Sequence, residues 1–181
     1  AGTFTSGAFF AFLGGAPFVG GTLMGMTPSM LGLQFMFIAS GYIAGNYVSG
    51  RFARRAGIEM MMLAGGLVAL VGAAIPIFFL LQGFVSSLAF FVPQVIVGFG
   101  NGLSLPSTNA GIVSVRPELA GSASGLGGAI TMGGGAFLSW FASRILTVET
   151  GAMPLLLVML ACCVLALVAV MVLRFAPGEE R

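Results

Sequence analysis

The chain has 181 residues, 58% hydrophobic and only 7% charged, with a mean hydropathy of +1.09. A soluble domain carries about 25% charged residues, so a water-facing globule cannot be built from this composition. There is no histidine, which excludes Ser-His and Cys-His dyads and imidazole-held metals or haem, and a net charge of +2 is too small to suggest nucleic acid.

The basic residues are all arginine and the acidic ones all glutamate, and none falls within residues 1–50 or 60–115. Such a pattern describes a polytopic helical membrane protein. Cys162 and Cys163 are adjacent in an apolar run. That is poor geometry for a disulfide and too few ligands for a metal, so they read as small packing residues. No cofactor or metal is expected. The chain opens at Ala1 directly in an apolar segment, without the charged n-region of a signal peptide. It is expected to begin within a longer gene product.

About 20 apolar residues cross the hydrocarbon core, and six such segments are legible. The first covers about residues 4–24 and stops at Gly25-Met26-Thr27-Pro28, where Thr27 reads as an N-cap with Pro28 at the first helical position. The second covers about 30–47 and ends in a basic stretch, Arg51 to Gly57, expected to be a cytoplasmic loop carrying Arg51, Arg54 and Arg55. The third covers about 60–81, with Gln82-Gly83 as its stop. The fourth covers about 88–112 and is expected to continue past Pro106. Arg116-Pro117-Glu118 opens the fifth, about 119–142, and the sixth covers about 154–173. The organisation expected is one transmembrane bundle over residues 1–175 and a polar cytoplasmic tail over 176–181. With six spans, Arg51, Arg54, Arg55, Arg116, Arg174 and Arg181 share one side and only Arg144 lies on the other. The positive-inside rule then puts both termini of this segment in the cytoplasm.

The spans follow one another as types. The first and fourth are interrupted by proline (Pro17; Pro93 and Pro106) and mix polar with aromatic residues. The second and fifth carry small residues, with Gly41, Gly45 and Ser49 in one and Gly121, Gly125, Ala129 and Gly133 in the other. The third and sixth are almost wholly apolar. Two trios in the order A-B-C make an inverted repeat, an arrangement common in transporters. The fold class expected is therefore all-α, six transmembrane helices as two inverted three-helix repeats. Small residues let backbones approach, so Gly41, Gly45, Gly98, Gly102, Gly121 and Gly125 are expected to pack helices together. The apolar third and sixth spans are expected at the periphery, facing lipid. Proline frees a backbone carbonyl, so the first and fourth spans are expected to line any cavity.

By exclusion, substrate contact is expected from Phe9, Phe10, Phe12, Pro17, Gln94, Asn101 and Ser104, with Phe18 and Asn109 beside them, and from Gln34, Tyr42 and Asn46 on the second span. Aromatic and methionine-rich surfaces suit lipophilic compounds of varied shape. A membrane-embedded enzyme is disfavoured. Gly121-Ser122-Ala123-Ser124-Gly125 has alanine where a nucleophile elbow needs serine, and no intramembrane base exists.

The run Gly98-Phe99-Gly100-Asn101-Gly102-Leu103-Ser104-Leu105-Pro106, with Arg116-Pro117-Glu118-Leu119-Ala120-Gly121-Ser122-Ala123-Ser124-Gly125-Leu126, resembles the tenth and eleventh helices of major facilitator superfamily drug exporters. Phe12-Leu13-Gly14-Gly15-Ala16-Pro17-Phe18-Val19 is similar to the seventh helix of the bicyclomycin and chloramphenicol resistance (Bcr/CflA) drug:proton antiporters. The resemblance covers essentially the whole chain, as the C-terminal half of a twelve-helix protein. It implies a multi-pass protein of the bacterial inner membrane that exports small lipophilic compounds by alternating access, in exchange for protons. It also implies a missing N-terminal half of the same chain as partner, with membrane lipid around both. The stretch Arg51 to Arg55 occupies the place of the superfamily's basic loop but lacks the acidic residue of the stronger N-terminal copy. No span holds Asp, Glu, His, Lys or Arg, so a proton-coupling carboxylate is expected in the other half. The alternative is a self-contained six-span subunit, or a dimerising half-transporter without proton coupling.

Overall fold

The structure is a computed structural model and describes residues 2–114 and 119–175. Six helices account for most of them, and no strand occurs among the described residues. They are α1 (Gly2–Pro17), continued by a π-helical segment Phe18–Leu23, α2 (Pro28–Ala56), α3 (Ile58–Leu81), α4 (Ser87–Ser114), α5 (Ala120–Ile145) and α6 (Met153–Phe175). Ser6–Leu23, Ile58–Leu81, Ser87–Val113 and Met153–Val172 are long and apolar enough to cross a membrane. Helices α2 and α5 are also long, at 29 and 26 residues, but glycine, serine and arginine dilute their apolar character.

The helix boundaries follow from local chemistry. Thr27 is extended, its Oγ1 accepts a hydrogen bond from the Met30 N–H (3.3 Å), and Pro28 occupies the first turn of α2. Ser86 caps α4 in the same way, accepting from the Ala89 N–H at 3.1 Å. Helix α3 ends at Leu81, before Gln82 and Gly83. Helix α4 runs unbroken through Pro93 and Pro106 to Ser114.

The basic stretch after the second span is not a loop. Helix α2 continues through Arg51, Arg54 and Arg55 to Ala56, and the connection to α3 shrinks to Gly57 at φ +84. Arginine and alanine are strong helix formers and the arginines favour the negative end of the macrodipole, so nothing before Gly57 stops the helix. Arg116, Pro117 and Glu118 lie outside the described residues, as does the expected tail over 176–181. Arg174 sits exposed in the last turn of α6.

Helices α1 and α4 touch each other at the centre. Helix α4 carries α2 and α3 on its flanks, α1 carries α5 and α6, and α3 meets α6. The neighbours of single glycines give the directions. Gly41 lies against Val95 and Gly45 against Phe99 and Gly102, so α2 runs parallel to α4. Gly134 lies against Thr3 and Gly7 against Leu138, so α5 runs parallel to α1. Gly15 against Leu155 and Gly7 against Cys162 set α6 antiparallel to α1; Gly65 against Ser104 and Gly72 against Val97 set α3 antiparallel to α4.

The small-residue helices bury less than their composition suggests. Helix α2 buries only Ile38, Gly41, Gly45 and Ser49, and α5 only Gly135 and Ala142. Ser49 also donates across the α2–α4 contact to the Leu103 carbonyl at 3.1 Å. Helices α3 and α6 bury one side and expose an apolar stripe on the other, such as Leu67, Val71 and Phe78 on α3 and Leu157, Val164, Val168 and Val172 on α6.

Candidate functional site

The candidate cavity residues divide into two groups. Phe12, Gln94, Asn101 and Ser104 are buried inside the six-helix bundle and do not line an open surface of it. Phe12 joins three helices through its ring: Phe35 of α2 lies at 5.7 Å, and Phe90 and Phe91 of α4 at 6.0 Å each. Its role here is packing, as a hub of edge-on and stacked rings.

The polar residues of α4 turn largely to their own helix. Ser104 donates to the Gly100 carbonyl (2.8 Å), Thr108 to the Ser104 carbonyl (2.9 Å) and the Gln94 amide to the Phe90 carbonyl (3.4 Å). Asn101 is 2% exposed, and neither its Nδ2 nor its Oδ1 has a protein partner; Gln94 Oε1 and Ser107 Oγ share that condition. A buried amide without partners costs about 1–3 kcal/mol. Asn101 thus neither faces an open surface of the bundle nor makes an interhelical hydrogen bond among the described residues.

Phe9, Phe10, Gln34 and Asn46 are half-buried, and Pro17 is exposed. Asn46 donates to the Tyr42 carbonyl of its own helix at 2.9 Å. Pro17 closes α1 and has no N–H to donate. The next six residues are π-helical, so Met24 donates to Val19 (3.1 Å) and Met26 to Gly20 (2.8 Å). Such wide segments are rare and concentrate at functional positions. This one delivers Met24 and Met26 to the mouth of a groove.

That groove, of about 390 Å³, is lined by Leu23, Met24, Gly25, Met26, Met30, Leu33, Gln34, Val85, Ser86 and Ser87. It lies where the α1–α2 and α3–α4 connections meet, and of the candidates only Gln34 borders it. Three flexible thioethers, one amide and two hydroxyls line it, with no ionisable group. The sequence reads Gly25 to Pro28 as the stop of one helix and the start of the next, and not as part of a cavity. The signal passed over was Met24, Met26 and Met30 around one turn.

The expected packing glycines also divide. Gly41, Gly45, Gly98 and Gly102 meet neighbouring backbone, and a Cβ on Gly102 would lie 2.8 Å from the Asn46 nitrogen. Gly121 and Gly125 face open space; α5 packs instead through Gly127, Gly134 and Gly135. Comparison with protein-family models and with curated proteins finds no match to this chain.

Proposed function

We propose that the chain is a six-helix half of a secondary transporter of the major facilitator type. It would export small lipophilic compounds by alternating access, in exchange for protons, across a bacterial inner membrane. The observation that carries this reading is the packing pattern. Exchanging the first three helices for the last three turns the main packing contacts into one another: α2 on α4 becomes α5 on α1, and α3 on α4 becomes α6 on α1, while the smaller α4–α5 contact has only a slight counterpart between the π-helical end of α1 and α2. The α1–α4 and α3–α6 contacts map onto themselves. Parallel and antiparallel senses are kept in each case, as an inverted repeat requires.

Three further features support it. Helices α2 and α5 leave apolar surface uncovered, including Met36, Phe37, Ile43, Leu126, Ile130 and Phe137, which suits a second half laid against them. Alternation along the six helices groups Arg51, Arg54, Arg55 and Arg174 at one end and Arg144 at the other, the bias of a bundle with its arginine-rich end in the cytoplasm. The uncharged, methionine-lined groove fits a neutral lipophilic guest. Since the six helices offer no intramembrane carboxylate, the proton site is assigned to the other half.

The test has two arms. The intact mass of the native product, detected through its C-terminus in membranes, is expected at about twice the 18.4 kDa of this chain. Reconstituted in vesicles, that product is expected to move a lipophilic fluorescent dye against its gradient when a pH difference is imposed. An intact mass of 18.4 kDa together with no dye movement overturns the reading.

A further inference from the structure

We propose that the last two turns of α2 form a binding face for the headgroup of an anionic phospholipid. This rests on the reading above only in requiring α2 to cross a membrane. A helix of 29 residues is about 43 Å long, against a hydrocarbon core of about 30 Å, so α2 overhangs the core by two turns or more. The charges sit in that overhang.

Arg51, Arg54 and Arg55 are all exposed and lie at positions i, i+3 and i+4. At 100° per residue the three share a sector of about 100°, with neighbouring Cβ atoms about 5–6 Å apart. Tyr47, 71% exposed, lies one turn earlier in the same sector, where an aromatic ring marks the depth of the lipid–water boundary. A loop would let three arginines scatter. The continuous helix to Ala56 holds them as one surface.

The surface is also electrostatically unsatisfied. Among the described residues none of the three arginines is paired with a carboxylate, and Glu59, exposed in the first turn of α3, is the nearest acidic residue in sequence. Guanidinium forks match phosphate oxygens with paired N–H donors, which an ammonium does not do. A phosphate held between the arginines, with acyl chains running down the apolar side of α2 past Tyr47 and Ile43, satisfies both chemistries. A neutral zwitterionic lipid would bring a cation to the same place and is disfavoured.

The experiment is native mass spectrometry of the protein in mild detergent with equal amounts of phosphatidylglycerol and phosphatidylcholine. Wild type is expected to retain phosphatidylglycerol preferentially, by about tenfold. The single variants Arg51→Gln, Arg54→Gln and Arg55→Gln, each leaving two charges to fix topology, are expected to lower that preference several-fold, and Arg144→Gln to leave it unchanged. Equal retention of both lipids by wild type overturns the proposal, as does a preference unmoved by all three α2 variants. Binding of inorganic phosphate without lipid preference overturns it too. Crossing by α2 is read separately, from labelling of Ser29→Cys and Ala56→Cys by an impermeant thiol reagent. Labelling from opposite faces with no lipid preference sinks the lipid site alone, and labelling from one face sinks the membrane-crossing reading beneath it.

Discussion

At the scale of single residues, the glycines of α2 and α4 do different work from those at the start of α5. Gly45 and Gly102 lie against each other and against the Phe99 and Tyr42 carbonyls, so any Cβ at this crossing must push two helices apart. Overpacking of this kind costs about 1–3 kcal/mol. Gly102→Ala is expected to lower the thermal midpoint of the solubilised protein by several degrees. Gly121→Ala meets nothing and replaces a glycine in the first turn of α5, so it should hold or raise that midpoint. Matching losses at both positions would contradict the packing. Asn101 makes a second case. Its amide is buried without a protein partner, so Asn101→Leu, close in size, is expected to keep or raise stability by about 1 kcal/mol. A fall in the midpoint would show that the amide has a partner. Both cases mark a limit of the sequence. A polar side chain on a proline-broken helix signals that something specific surrounds it, but the choice between an open cavity and the bundle interior is made by neighbouring helices.

At the scale of elements, boundaries set by capping and turn residues were more legible than those marked by charge. Thr27-Pro28 and Gln82-Gly83 act through local chemistry, and the structure places boundaries where that chemistry does. Charge is a weaker signal. Arg51 to Arg55 mark where apolar character ends, yet residues that leave hydrocarbon are free to remain helical in water. What ends α2 is Gly57, at φ +84 and ψ 157, a conformation open to glycine and strained for any side chain. Gly57→Ala is expected to destabilise the protein by about 1–3 kcal/mol although no neighbour lies within 4 Å of its Cβ position. Gly50→Ala, equally free of neighbours but inside α2, should not. Thermal unfolding of the two variants side by side checks this. The π-helical segment was the least legible element, because no residue from Phe18 to Leu23 demands it; Pro17 and the route of the following turn do.

At the scale of the whole molecule, the alternation of span types put the proline-broken helices along any cavity; in the structure α1 and α4 touch each other, and α4 also meets α2, α3 and α5. The alternation did not anticipate how bare α2 and α5 would be. Spacing small residues by four says that a helix face permits close approach, and it cannot say whether the partner is on the same six helices. For α2 the partner is α4. For Gly121 and Gly125 it is absent from the bundle, while Leu126, Ile130 and Phe137 nearby are exposed. A face that is both smooth and apolar is costly to specify if lipid alone covers it, because lipid packs as well on leucine as on glycine. The proposed second half gives the stripe its use, and one substitution separates the two readings. Gly125→Leu in the isolated 181-residue chain is expected to hold or raise the thermal midpoint, since no atom lies within 4 Å of the added Cβ position and a helix-interior glycine is removed. In the native product the same change is expected to lower the midpoint by several degrees and to impair dye movement, because the branched side chain would wedge the two halves apart at a cost of about 1–3 kcal/mol. No loss in either would mean that α5 faces lipid along its whole length, and the two-half architecture would lose its interface.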